Sequence, residues 1–376
     1  MALQVELRRG ITLLEVLISM FVLLIGLLGV GAMIPAGRYV AMQGTKLATS
    51  TMVGQSAMHE LQVRDCFNPA NWHTVNSTGS DFAIWDPTNP GKPFKIPSGA
   101  NSMLLPVVID PLGLTSFPGA IPPGAATVPA GFSAPALFLT RISPFGPIGP
   151  GTQQLAVMVC RSSDDLVSTQ NSADLPPTQF NFLDASKNPI KRSSDGNYSW
   201  FATIVPDPTA STVMSEITVT VAVVHKRDLS ALGSGESTTR IVSLPGAGMG
   251  GGEVLLFDPN GIAKALRPGQ FVMVTGTIPN AAGPLPYFYW YRVTQASDMM
   301  PITAASQLSA FSPLPADMPS PQYQVQPVTL AGPDWTAYTP GNVLTSPPPT
   351  TSPFPTVWIF DNVISTFQTT IPLDLP

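Results

Sequence analysis

Residues Ile11–Ile34 (ITLLEVLISMFVLLIGLLGVGAMI) form a run of 24 residues with a single charge, Glu15. At 1.5 Å of rise per residue this is about 36 Å of helix, enough to cross a bilayer core of about 30 Å. The run is too long for the apolar stretch of a cleaved secretory signal and lacks a small-residue site at its end. Glu15 sets it apart from a plain anchor. A carboxylate inside an apolar span costs on the order of 2.5–3.5 kcal/mol at the bilayer centre, less near the edge, and normally has a partner. No other charge lies between Ile11 and Met33. A cut after Gly10 would give Ile11 a free α-amine about one helical turn from Glu15, able to pair with it within the chain or on a neighbour.

The preceding segment, Met1–Gly10, is short and polar and ends in Arg8-Arg9-Gly10. Arg8-Arg9-Gly10 followed by Ile11-Thr12-Leu13-Leu14-Glu15-Val16 resembles the class III signal of type IV pilins and type II secretion pseudopilins. Ile25-Gly26-Leu27-Leu28-Gly29 is similar to the minor pilin PilV and the I-type pseudopilin. The resemblance implies cleavage by a prepilin peptidase between Gly10 and Ile11, N-methylation of Ile11, and use of Glu15 in filament assembly. The family prefers Phe or Met where this chain has Ile11. The resemblance also implies a single-pass protein of the bacterial inner membrane, with its C-terminal domain extracytoplasmic and other pilins or pseudopilins as partners. Charge alone leaves orientation open, because Arg38 and Lys46 beyond the run nearly balance Arg8 and Arg9.

Four segments follow: a leader over 1–10, a membrane-crossing part of the N-terminal helix over 11–34, its extracytoplasmic continuation over 35–65, and a β-rich domain over 66–376. The fold class is α+β. Val40, Gly44, Leu47, Thr51, Gly54, Met58 and Leu61 recur at spacings of four and three, marking one helix face, expected to pack mostly on the chain's own β domain. Gly26, Gly29, Gly31 and Pro35 weaken the membrane half, since glycine and proline cost about 1 and 3 kcal/mol in a helix interior. Cys66-Phe67-Asn68-Pro69 ends the helix, because the residue before proline is pushed out of the α region.

Beyond it the pattern is β. Strands are expected at Met103–Ile109, Leu137–Ile142, Leu155–Arg161, Tyr198–Val205, Ser215–His225, Glu253–Phe257, Phe271–Gly276, Tyr287–Thr294, Val357–Ile364 and Phe367–Leu373. Ile217, Val219, Val221 and Val223 alternate with Thr218, Thr220 and Ala222, as in a half-buried strand. Tyr287-Phe288-Tyr289-Trp290-Tyr291 reads as a strand covered on both faces, with an exposed aromatic face as the alternative. The 42 prolines of the chain argue against an all-helical protein. Twelve of them fall in Pro313–Pro355, which reads as an extended loop.

Composition narrows the chemistry. Charged residues make up 11% of the chain and the net charge is −5, so no basic footprint points to nucleic acid. Three dispersed histidines and two cysteines give no metal-ligand spacing, and no cofactor is expected. Gly246–Gly252 lacks the GK[ST] of a phosphate loop and reads as a hairpin connection. His225-Lys226-Arg227 follows a strand and reads as an exposed end. Cys66 and Cys160 offer the one possible intrachain disulfide; the alternative is two separate buried thiols. No acid, base or nucleophile constellation suggests an enzyme. The readings that remain are a minor pilin or pseudopilin, and a membrane-anchored binding module or adhesin that does not polymerise.

Overall fold

The computed structural model describes residues 13–75, 81–84, 107–116, 140–148, 155–156, 159–160, 166–168, 192–194, 197–206, 216–227, 236–243, 251–258, 265–278, 285–302, 323–333 and 356–372. The chain divides into two units, Met1–Thr49 and Ser50–Pro376.

Helix α1 runs from Leu13 to Val63 with Pro35 inside it. It ends in a Schellman motif. Asp65 takes a left-handed φ of 53°, the Cys66 N–H donates to Leu61 O at 2.9 Å and the Asp65 N–H to Gln62 O at 3.2 Å. This satisfies carbonyls that a helix end leaves orphaned. Asn68 then caps a short 3₁₀ turn, Pro69–Asn71, accepting from the Ala70 N–H at 3.0 Å. In the second unit Ser50, Val53, Gly54, Ala57 and Leu61 are buried. Only the later part of the expected stripe packs, since Gly54 and Leu61 are buried and Met58 is half-buried while Val40, Gly44, Leu47 and Thr51 remain exposed.

The Ser50–Val63 part of α1 packs on a five-stranded sheet of β3 (Val107–Ile109), β4 (Thr140–Ile142), β7 (Tyr198–Pro206), β8 (Glu216–His225) and β16 (Val363–Pro372). Their order is β16-β8-β7-β3-β4, with β3–β4 parallel and the other pairs antiparallel. Alternation assigns the faces. Trp200, Ala202 and Ile204 of β7 and Ile217, Val219, Val221 and Val223 of β8 share one core with Val53, Ala57 and Leu61. The antiparallel pair β1 (His73–Val75) with β2 (Asp81–Ala83) and the short helix α2 (Pro111–Ser116) lie beside β4, and β5 (Leu166–Ser168) with β6 (Arg192–Ser194) forms a separate two-stranded sheet.

The second half is a barrel. Its strands are β9 (Glu236–Ser243), β10 (Gly251–Asp258), β11 (Phe271–Ile278), β12 (Leu285–Ala296), β14 (Tyr323–Ala331) and β15 (Thr356–Phe360), with β13 (Met300–Ile302) added beside β14. The order β10-β9-β15-β11-β12-β14 closes because β14 also pairs with β10. Every neighbouring pair is antiparallel. Val254, Leu256, Val272, Val274, Tyr291, Val328, Leu330, Val357 and Ile359 fill the interior, so this small barrel is a packed core. At Gly251, φ 106°, an added Cβ would lie 2.2 Å from Leu330 O, so the β10–β14 seam requires glycine there.

The barrel is an insertion. β8 and β16 are sheet neighbours, and residues 236–360 fall between them in sequence. The barrel lies on the face of the sheet opposite the Ser50–Val63 part of α1. Phe201, Val205, Ala222 and Val224 pack there against Met273, Phe288, Trp290, Trp358 and Phe360. Trp290 Nε1 donates to Thr203 Oγ1 at 3.1 Å across this interface. β8 is consequently buried on both faces rather than half-buried.

Four expectations are corrected. Leu155, Ala156, Val159 and Cys160 are helical, not part of a strand. The expected loop over Pro313–Pro355 contains β14. Its Pro327 sits where β12 gives way to β13, and needs only its carbonyl there, which accepts from the Ser297 N–H at 3.0 Å. The chain turns at Asp361-Asn362, so the expected strand Val357–Ile364 is the end of β15 and the start of β16. Arg227 is buried, with its side chain 7% exposed.

Candidate functional site: the N-terminal helix

The first turn of α1 carries Glu15. Ser19, one turn on, donates its hydroxyl to Glu15 O at 2.7 Å, which satisfies a polar group that apolar surroundings would otherwise penalise. From Leu13 to Ile34 the large apolar side chains that are described stand open, Leu13 at 81% and Leu28 at 68%. An added Cβ at Gly26, Gly29 or Gly31 would meet nothing within 4 Å. Such a surface needs lipid or other helices around it. Among the described residues α1 is the one helix long and apolar enough to cross a membrane.

The segment also has a recognisable pattern. Residues 7–31 match the prokaryotic N-terminal methylation motif. The match supports a prepilin-like chain, of the type IV pilin or pseudopilin kind, and together with the apolar helix it suits a single-pass inner-membrane anchor. No curated protein and no solved structure matches the chain. The motif covers a small part of the sequence, so the barrel and sheet stand on their own geometry.

Of the residues singled out in the sequence, Glu15 lies in the described helix, while Gly10 and Ile11 lie outside the described residues. Cys66 and Cys160 are brought into one core cluster with Leu61 and Trp72. Both are buried, and their thiols are unbonded. Burial pushes the Cys66 thiol up to about 12. Burial raises Cys160 well above its usual range, and the nearby Asp110 and Cys66 add to the effect. Both are therefore neutral thiols at neutral pH and poor nucleophiles. The aromatic strand is covered on both faces, with Phe288 and Trp290 against the sheet and Tyr291 inside the barrel.

Sequence reading misses a buried charge cluster. Asp110, just after β3, receives both ends of the Arg227 guanidinium, Nη1 at 2.8 Å and Nη2 at 2.6 Å. Arg141 of β4 approaches Asp110 with Nε at 3.1 Å and bonds Glu236 through Nη2. Arg227 Nη2 also reaches Glu236 at 3.2 Å. The Gly113 N–H donates to Asp110 Oδ1 at 3.0 Å, in a space that a Cβ on Gly113 would fill. Two acids and two arginines thus balance. Burial alone would raise the Asp110 carboxyl, but Arg227, then Arg141 and Gly113, outweigh it and hold the group down to about 2. Glu236 is the first residue of the barrel, so the cluster ties barrel to sheet.

Proposed function

We propose that this chain is a minor pilin or pseudopilin, a structural subunit that is cut after Gly10 by a prepilin peptidase, methylated on Ile11 and assembled with other pilin-like subunits. The observation that carries the reading is Glu15, a lone acid in the first turn of a helix whose apolar side chains are open and whose sequence matches the methylation motif. On this reading the α-amine exposed by cleavage neutralises Glu15, on the same chain or on a neighbour in the filament. The sheet and barrel lie outside the inner membrane. The likeness of Ile25–Gly29 to the minor pilin PilV and the I-type pseudopilin supports a minor rather than a bulk subunit.

Glu15→Ala tests it. The variant removes an acid that opposes insertion, so membrane insertion and cleavage persist, while incorporation into sheared filaments falls sharply. N-terminal sequencing of the wild-type protein from a peptidase-positive host then begins at Ile11. Retention of Met1, or normal incorporation of Glu15→Ala, would contradict the proposal.

A further inference from the structure

A strand at the edge of a sheet carries backbone donors and acceptors without partners, and folded proteins normally shorten, twist, cover or charge such an edge. Most edges of the second unit are managed in this way. The six barrel strands close on themselves. β13, beside β14, is three residues long and contains Pro301. β4 continues into Ser143, which exchanges backbone bonds with His73 of β1 at 2.9 and 2.7 Å. β16 is different. It is ten residues long, it ends the order β16-β8-β7-β3-β4, and among the described residues it pairs with β8 alone.

Hydrogen bonds at the end of β8 show which groups of β16 face outward. The His225 N–H donates to Asn362 O at 3.0 Å, and the Lys226 N–H donates to Asn197 O at 2.7 Å. Odd-numbered residues of β8 therefore turn their backbone groups toward β16, and even-numbered ones toward β7. Two prolines agree with this assignment. Pro206 of β7 lies opposite Ile217, and Pro372 of β16 lies opposite Glu216, each where no N–H is required. Ser365, Phe367, Thr369 and Ile371 lie opposite Val223, Val221, Val219 and Ile217, and so bond β8. Thr366, Gln368 and Thr370 aim their N–H and C=O groups away from the sheet. A bulge between Val363 and Ser365 ends this row on one side, and Pro372 ends it on the other. No charged residue lies between them, and Gln368 and Thr370 are exposed.

We propose that this edge pairs with the same edge of a second copy of the chain, antiparallel about a two-fold axis at Gln368. The outward row reads Thr-Gln-Thr in either direction, and Gln368 is the midpoint of Ser365–Ile371. In that register Gln368 meets its own counterpart and Thr366 meets the second copy's Thr370. Each outward N–H then finds an outward C=O. A two-fold interface uses one patch twice, so any charge near the axis would oppose its like. This edge carries none, and threonine pairs directly opposite one another are favourable cross-strand neighbours. The pairing goes beyond the assembly reading and depends on neither cleavage at Gly10 nor filament growth.

The full chain in mild detergent tests the pairing. Bonded residues directly opposed in an antiparallel pair have Cα atoms about 5.5 Å apart, within the span of a disulfide. With diamide as oxidant, Gln368→Cys should give a covalent dimer on a non-reducing gel. Thr370→Cys should not, because its counterpart lies four residues along the strand, roughly 13 Å away. Native Cys66 and Cys160 are buried, and wild type supplies their background. Without oxidant, wild type should sediment with the protein mass of two chains. Gln368→Lys places like charges at the axis and should weaken association by about fivefold or more, with the melting temperature unchanged. A monomeric wild type would overturn the pairing. So would a dimer that Gln368→Lys leaves intact and Gln368→Cys does not link, the pattern expected of association through α1. Linking of Thr370→Cys as readily as Gln368→Cys would overturn the register and the axis with it. None of these results bears on the N-terminal motif, so failure here leaves the assembly reading standing.

Discussion

Arg227 follows His225 and Lys226 at the end of a strand, and such a run reads as solvent-facing. Its actual place is set by residues far away in sequence, since Asp110 lies 117 positions before it. Nothing local to either residue announces the pair. The cluster nevertheless makes a measurable contribution. Asp110 is depressed to about 2 in the folded state, against an unfolded carboxyl near 3.9. Its contribution is present in full above about pH 4 and is lost as pH falls through about 2, with a size of roughly 2 kcal/mol. Asp110→Asn leaves two buried arginines short of a partner and should cost about 3–5 kcal/mol at pH 7. Urea unfolding of both proteins at pH 7 and pH 3 checks this, and the gap between them should narrow at the lower pH. For the cysteines, the sequence leaves bridge and thiols open. The structure places two unbonded thiols in one core. Alkylation of denatured, unreduced protein should therefore modify both residues, and native protein neither; complete protection in the denatured, unreduced sample would show a bridge.

At the level of elements, regular local patterns were legible. The 24-residue apolar run and the alternation in β8 act over a few neighbours, and each leads to the element found, whereas α1 ends at left-handed Asp65 before the proline that follows Asn68 is reached. Where tertiary packing decides, the reading changes. The Leu155–Arg161 run is apolar enough for a strand, but Ala156, Val159 and Cys160 become buried as helix. The prolines around β14 hide a nine-residue strand whose partners come from elsewhere in the barrel. The glycines of α1 differ for a similar reason. A Cβ on Gly54 would lie 2.1 Å from the Phe367 ring of β16, whereas one on Gly44 meets nothing within 4 Å. Gly44→Ala should leave the melting temperature of the detergent-extracted protein unchanged or higher, because alanine favours helix by about 1 kcal/mol. Gly54→Ala gains the same propensity but must displace an aromatic ring, at a typical overpacking cost of about 1–3 kcal/mol. Its melting temperature should fall below that of Gly44→Ala; equal values would show that Phe367 yields freely.

The second unit is built around a sheet with a barrel inserted between its strands β8 and β16, and this topology was not legible in the sequence. Individual strands have local signatures, but closure of β14 onto β10 is a pairing across a long stretch of chain. The α+β class and the order of a helix followed by β structure were legible, because they depend on composition and period alone. The barrel and sheet are also mutually dependent. Replacing residues 228–360 by a short linker exposes the Phe201, Val205, Ala222 and Val224 face and removes Glu236 from Arg141 and Arg227. That variant should lack the cooperative thermal transition of the full chain, as read by circular dichroism, while a sharp transition would show that the sheet stands alone.

The contact between Phe367 and Gly54 has a consequence for synthesis. β16 leaves the ribosome after the whole barrel, yet it supplies the ring that covers Gly54 near the start of the β-rich unit. The sheet that supports the helix thus lacks its final edge until translation has passed through the barrel. Long-range pairing of this kind is slow, and partly folded intermediates expose apolar surface that promotes aggregation. A chain truncated before Phe367 keeps its membrane segment and its N-terminal motif but cannot cover Gly54. This packing around Gly54 therefore forms only after translation has passed Phe367.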